Sequence, residues 1–412
     1  MSTKSLFAKA LGLAAPWKVT EVVFSPEENR LDITIDFPRG STFTCPVCGT
    51  PGVKPYDTRE EEWRHLNFFQ YTTYLHARVP RVKCPNGCGV KKVEVPWARP
   101  GSGFTLLFEA LIMALVREMP VAAVAELIGE HDTRLWRIIH HYVDEARKDA
   151  DFSGVKRVGI DETASRRGHN YISLFVDLDG KRLLLGTEGK GAETVRDFKT
   201  DLEKHGGIPS TVSEVCCDMS PAFISGVSEA FPEAEITFDR FHIMQLMQEA
   251  VDKVRRQEGK TTELLKKTRY LWLKNPRALT PREQAKLNSL SHYKLKTGRA
   301  YRIKLALQEL FNQSDRQAGE AFLRRWYFWA THCRLGPVLD AARAIKRHWE
   351  GILNWFDSRL STGFLEGINS LIQAAKAKAR GYRTTRNLIT MAYLIAGNSC
   401  LDYPCKTARE IL

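Results

Sequence analysis

Two apolar runs in this chain end in a carboxylate, and no other feature constrains its fold as tightly. Val155-Lys156-Arg157-Val158-Gly159-Ile160 closes in Asp161, and Val212-Ser213-Glu214-Val215-Cys216-Cys217 closes in Asp218. Short runs of this kind are buried strands. An acid at the end of such a strand is costly unless it is paired or metal-bound. A single strand-end Asp is equally well explained as a cap of the turn that follows. Two of them on neighbouring strands are better explained as sharing a cation, and hard oxygen ligands select Mg²⁺ or Mn²⁺.

The surrounding pattern makes them neighbours. Tyr171-Ile172-Ser173-Leu174-Phe175-Val176 and Arg182-Leu183-Leu184-Leu185 flank Asp179-Gly180, a strong hairpin signal. Helix 192–204, strand 212–217, helix 221–231 and strand 235–238 follow. This β-β-β-α-β-α-β series predicts a mixed sheet with helices packed against it. Asp239, after Thr237-Phe238, ends the last strand and is the runner-up ligand. His242 is an auxiliary candidate as a proton or phosphate partner, with a structural role weighed equally. Asp177 and Asp179 are explained by turn chemistry. Glu162 should point to the opposite face of any strand that continues past Asp161.

A third acid opens a helical pattern, Ser361-Thr362-Gly363-Phe364-Leu365-Glu366-Gly367-Ile368-Asn369. Glu366, Asn369, Gln373, Lys376 and Arg380 recur at steps of three and four, which puts them on one helix face. Such a face can hold a metal at one end and track a phosphate backbone along its length. An ordinary amphipathic helix with a solvent face fits the same stripe, so this inference leans on the two aspartates. Residues 241–358, between the last strand and Glu366, read as almost wholly helical and rich in Trp.

The first third of the chain has a different texture. Residues 18–44 alternate as strands around a turn at Pro26-Glu27-Glu28-Asn29. Cys45-Pro46-Val47-Cys48 and Cys84-Pro85-Asn86-Gly87-Cys88 then form two cysteine knuckles, with strand-like residues such as 71–79 between them. Four thiolates on two tight turns suit tetrahedral, structural zinc. His65 and His76 are left out of the ligand set. After a Pro/Gly linker come three helices: Phe104 to Arg117, one opened by Pro120, and one capped by Asp132 or Thr133 beyond a turn at Gly129. This is the helix-turn-helix pattern. It would place Arg134, Arg137, His140 and His141 toward a major groove, although a plain three-helix packing unit has the same pattern.

At 412 residues the chain should divide into several domains. The boundaries read as 1–98 (β hairpin and zinc ribbon), 99–150 (helix-turn-helix), 151–245 (first part of the catalytic core), 246–355 (helical basic block), 356–397 (Glu366 helix) and 398–412 (tail). The net charge of +13 points to a polyanionic partner, nucleic acid before membrane. Sixteen Lys and Arg against three Glu between Lys253 and Lys304 concentrate that charge in the helical block. Lys9 interrupts what would be the apolar core of a signal peptide, and no run approaches a membrane span. The chain is read as cytoplasmic.

The pieces occur in one order over nearly the whole chain: the two knuckles, the helix-turn-helix, Gly159-Ile160-Asp161-Glu162 with Arg167-Gly168-His169-Asn170-Tyr171, Cys217-Asp218-Met219-Ser220-Pro221, Phe238-Asp239-Arg240-Phe241-His242, and Glu366-Gly367-Ile368-Asn369 through Lys376 to Arg383. In this the chain resembles the DDE transposases of bacterial insertion sequences, in the zinc-ribbon group called the ISL-three family. The resemblance implies an RNase H-like core interrupted by a helical insertion, an α/β multidomain fold. It implies Asp161, Asp218 and Glu366 as the catalytic, metal-binding acids. It also implies two catalytic Mg²⁺ or Mn²⁺, and DNA contacts from Arg383 besides Asn369, Lys376 and Arg380. Gln373 departs from relatives, which commonly carry a basic residue there.

The expected function is cleavage and strand transfer at the element's terminal inverted repeats, with target DNA as second partner and a homodimer or larger assembly on DNA. Two alternatives remain at this level. One is a catalytically inactive DNA-binding regulator. The other is an RNase H-like nuclease or resolvase that does not transpose.

Overall fold

The computed structural model describes residues 2–166, 168, 170–360 and 363–397. The 398–412 tail, Arg167, His169, Ser361 and Thr362, all noted above, lie outside the described residues. The chain divides into two units, the first ending at Asp144 and the second running from Glu145 to Ser399.

In the first unit, helix α1 (Thr3–Ala10) precedes strands β1 (Lys18–Ser25) and β2 (Arg30–Asp36). β3 (Pro55–Phe68), β4 (Tyr71–Cys84) and β5 (Gly89–Lys92) complete a sheet ordered β1-β2-β4-β3, with β5 on β4. Period-two alternation fixes its buried face. Leu31, Ile33 and Ile35 of β2 and Leu75, Ala77 and Val79 of β4 all point into one core that also holds Trp17, Trp63 and Trp97. Residues 37–44 do not extend the strand pattern as expected; only Phe43 pairs, across to Val53, in the turn that carries the first knuckle.

Helices α2 (Leu106–Glu118), α3 (Val121–Ile128) and α4 (Asp132–Lys148) follow. Thr105 caps α2, and Gly129, at φ 70, makes the turn that ends α3. The start of α4 corrects the sequence reading. Asp132 is already helical, and the His131 ring accepts the Thr133 N–H. Glu109, fully buried on α2, is satisfied by Arg99, Ser102 and Tyr142 of α4. This buried polar network ties α2 to α4.

In the second unit, β6 (Arg157–Arg166), β7 (Asn170–Asp177), β8 (Arg182–Glu188), β9 (Glu214–Cys217) and β10 (Glu235–Phe238) form one mixed sheet ordered β10-β9-β6-β7-β8. α5 (Ala192–Lys204) and α6 (Pro221–Ala230) join the strands. Val158, Ile160, Phe175, Val215 and Cys217 belong to the core that Phe198 of α5 and Phe223 of α6 also fill. The other face is taken by α15 (Gly363–Lys378) and α16 (Thr385–Ala396), with Ile389 pressed on Gly186.

Between the sheet and α15 lie α7 (Arg240–Glu258), α8 (Arg269–Leu273), α9 (Pro281–Ser291), α10 (Lys296–Gln308), α11 (Arg316–Thr331), α12 (Gly336–Arg347), α13 (Trp349–Leu353) and α14 (Trp355–Ser358). Trp272, Trp326 and Trp349 are buried among these helices, so most of the tryptophan signal is packing. The side-chain amide of Asn354, between α13 and α14, donates to Ile236 of the edge strand β10. A Cβ on Gly351 of α13 would collide with Phe238. The block thus covers an otherwise open sheet edge.

Candidate active site and zinc cluster

Strand register aligns the first two acids. β6 and β9 are parallel, with Gly159 opposite Cys216. Two residues beyond that pair stand Asp161, still on β6, and Asp218, just past the end of β9, which the continued register sets side by side; Asp218 acts on Asp161 electrostatically. Asp161 does not end its strand, as the sequence reading expected. β6 continues to Arg166 because β7 goes on pairing with it, whereas β9 ends at Cys217. Beyond Gly159 one edge of β6 is therefore open beside the acid. In open α/β sheets such a strand-end crevice is where ligands bind.

β10 brings a third acid to the same level. Phe238 pairs with Cys217, and the Asp239 N–H still donates to the Cys217 carbonyl. One residue past that pair, Asp239 stands beside Asp218. It is 3% exposed, and its Oδ2 has no hydrogen-bond partner. Although Asp239 is the N-cap of α7, its side chain makes no capping bond. Burial, with Asp239 and Asp161 adding their charge, pushes the intervening Cys216 thiol far up.

Helix α15 closes the site from the sheet face. Asn369 Nδ2 donates to Asp161 Oδ2 at 2.6 Å. Gln373 donates to Thr163 Oγ1 and the Ala164 carbonyl, and Lys376 Nζ to the same carbonyl at 2.5 Å. Glu366 is exposed, one turn before Asn369 on the same helix face. Burial pushes the Asp161 carboxyl up to about 6; the Glu162 N–H and His242 oppose that shift and Asp218 adds to it. Glu162 is also raised by burial, with Lys190 opposing and Asp218 adding, so it too stands within electrostatic reach of the cluster.

Among the described residues, no three of these acids bring their oxygens within 4.8 Å of one another, but two oxygens beside them lack partners. Asp239 Oδ2 and Asn369 Oδ1 are both buried oxygens without a partner, and both lie among these acids. A buried acceptor left unpaired costs about 1–3 kcal/mol, and a bound cation removes that cost.

The expected DNA-facing residues fall into two groups. Asn369 and Lys376 bond β6, where the middle of the polar stripe meets the sheet. Arg380 and Arg383 are exposed beyond it. On α4, Arg137 is exposed, whereas Arg134 lies over the Phe104 ring at 4.1 Å and pairs with Glu130 at 2.5 Å. Arg134 is thus part of the packing of its own unit. His140 is half-buried, its ring tilted against Trp136 with centroids 5.6 Å apart.

In the first unit Cys45, Cys48, Cys84 and Cys88 place their sulfurs within 4.8 Å of one another. A tetrahedron of Zn–S bonds about 2.3 Å long needs sulfurs roughly 3.8 Å apart, so the four fit zinc. Gly49 and Gly87, at φ 71 and 81, supply the tight turns of the two knuckles. The Cys48 and Cys84 thiols, by hydrogen bonding, push Cys88 up to about 12. A bound cation reverses that crowding. His65 bonds Thr105 and His76 bonds Asp32, each outside the sulfur cluster.

Comparison with known proteins identifies each part. A zinc-finger model of insertion-sequence transposases, named for IS204, IS1001, IS1096 and IS1165, matches residues 41–88. The helix-turn-helix domain of transposase family ISL3 matches residues 93–143, and the DDE transposase model of that family matches residues 158–392. This chain belongs to the ISL3 family of transposases. Over 391 residues it is 30% identical to the transposase for insertion sequence element IS1557 of Mycobacterium tuberculosis, covering 85% of this chain and 86% of that protein. It is 27% identical over 362 residues to the transposase for insertion sequence element IS1001 of Bordetella parapertussis, covering 84% and 87%.

In this transposase Asp239, the runner-up ligand of the sequence, follows the residue that pairs with Cys217. The signal that separates it is register.

Proposed function

We propose that this transposase binds the terminal inverted repeats of its own element and cuts and joins DNA through Asp161, Asp218 and Glu366. The observation that carries this reading is the side-by-side register of Asp161 and Asp218, with α15 bonded to Asp161. The sheet order, with two hairpin-linked antiparallel strands and two parallel ones, supports an RNase H-like core. On that reading the helices between β10 and α15 are an insertion, and the domain boundaries fall near 98, 150, 245 and 355.

When bound, two Mg²⁺ or Mn²⁺ ions would activate the attacking oxygen and stabilise the leaving one. Asp161, Asp218 and Glu366 would hold them, with Asp239 as an auxiliary group. Asn369 fixes the Asp161 carboxylate by its 2.6 Å bond. His242, close enough to lower the Asp161 pKa, would stand beside the same acid. In the first step water displaces a 3′-oxygen from phosphorus, one P–O bond forming as one breaks. In the second, the freed 3′-hydroxyl attacks target DNA in the same way.

End recognition belongs to the zinc ribbon and to α4 through Arg137 and His140, and phosphate tracking to Arg380, Arg383 and the exposed cations of α7–α10. Two element ends must react together, which calls for a homodimer or larger assembly. No helix among the described residues is long and apolar enough to cross a membrane, and the setting proposed is the bacterial cytoplasm. The test is Asp218→Asn incubated with Mg²⁺ and a duplex ending in the element's repeat. End binding should persist within about twofold while nicking falls by at least about 100-fold. Full nicking by this variant would remove Asp218 from the site.

A further inference from the structure

The basic helical block holds a cavity of about 540 Å³ that the acid cluster does not use. That size suits a small organic ligand. Buried Trp272, Leu290 and Tyr301 line its apolar side, and Tyr293 stands 53% exposed at its edge. Lys294, Lys296, Arg299 and Arg302 also line it, and among the described residues no carboxylate does. Glu258 comes near but is engaged, accepting the backbone N–H groups of Lys296 and Thr297 at 2.8 Å each.

Two further observations point to a ligand. Arg299 Nε is buried and has no hydrogen-bond partner. A buried cationic donor without an acceptor is costly, and the rest of the Arg299 side chain lines the cavity, where an anion would draw the guanidinium toward it. Gly298 lies in the first turn of α10, where its φ is not positive, and a Cβ there would meet only Leu295 Cβ, at 3.9 Å. Glycine is a poor helix former, and the backbone does not require it here. Its missing side chain keeps the cavity open.

We propose that this cavity binds one unpaired nucleotide of a DNA end. The inference rests on the reading above that the block grips DNA. The base lies against the aromatic and apolar wall, and its phosphate takes the Arg299 side. A free phosphate would make no use of that wall, and a neutral apolar molecule would make no use of four cations. A paired base keeps its faces inside the stack, so only an unpaired one can occupy the site.

The experiment compares two probes by fluorescence anisotropy with the full chain: a blunt duplex carrying the element's end, and the same duplex with a short single-stranded extension. The extension should tighten binding by about tenfold in the wild type, the size of one stacked base. Gly298→Leu, which fills the cavity, and Arg299→Ala should each remove that gain and leave blunt-duplex affinity within about twofold. Because Leu is the better helix former, Gly298→Leu should not lower the melting temperature, so misfolding cannot mimic the result. The proposal is overturned if the wild type does not distinguish the probes or if the gain survives Gly298→Leu. It is equally overturned if blunt-duplex affinity falls in step with the gain. Absence of Mg²⁺-dependent nicking in a wild type that keeps the gain counts against the catalytic reading alone.

Discussion

Asp239 and Asp218 end adjacent strands, yet their surroundings differ. Asp218 Oδ1 accepts the Ser220 N–H at 2.9 Å, so part of its charge is satisfied by its own turn. Asp239 is buried with Oδ2 unpartnered. Without a cation, that oxygen should destabilise the fold by about 1–3 kcal/mol. Asp239→Asn is therefore expected to raise the melting temperature of the metal-free protein and to reduce the further rise on adding Mn²⁺. Thermal denaturation with and without Mn²⁺ reads both signs. A lower metal-free melting temperature with an unchanged Mn²⁺ response would mean that the carboxylate serves packing only. The acid itself is legible in the sequence. Its lack of a partner is not, because capping geometry depends on where α7 begins.

Helix α15 shows the same division one level up. Its period, its apolar side and its polar stripe follow from residue spacing alone. The direction of the stripe does not, since a polar face reads the same toward solvent, DNA or a strand edge. The fold turns it toward β6, where Asn369, Gln373 and Lys376 bond Asp161, Thr163 and Ala164 in succession. Gln373 in place of a basic residue fits this setting, because its amide donates to a hydroxyl and a carbonyl. Asn369→Ala should cut Mg²⁺-dependent nicking by about 10–100-fold with end binding unchanged, the usual cost of losing a group that orients a metal ligand. Lys376→Ala should lower stability and leave the salt dependence of DNA binding as it was. A fall of about one in that slope would instead assign Lys376 to a phosphate.

On the scale of the molecule, zinc belongs to the first unit and the acids to the second. The sulfur cluster joins the turn at residues 45–50 to the end of β4, a closure across 36 residues between Cys48 and Cys84. Metal analysis should find about one zinc per chain, and Cys45→Ser should lose it along with end binding. Equal zinc in the two proteins would refute the cluster. Asp161, Asp218 and Glu366 are all in the second unit, so metal-induced stabilisation of that unit should survive Cys45→Ser.

The sequence alone determined the parts and their order. The knuckles, the three helices, the strand series and the acids are encoded in spacing, periodicity and turn residues, which are local. It also determined the family, because an ordered set of weak motifs is specific where each one is not. Tertiary structure decided which groups meet. Strand register set Asp161, Asp218 and Asp239 side by side. The early end of β9 opened the edge beside Asp161, and helix packing set the middle of the α15 stripe against β6. The same packing buried most of the Trp residues of the basic block while leaving a cavity beside Gly298. Register and packing depend on contacts between residues far apart in the chain, so no local pattern could have revealed them.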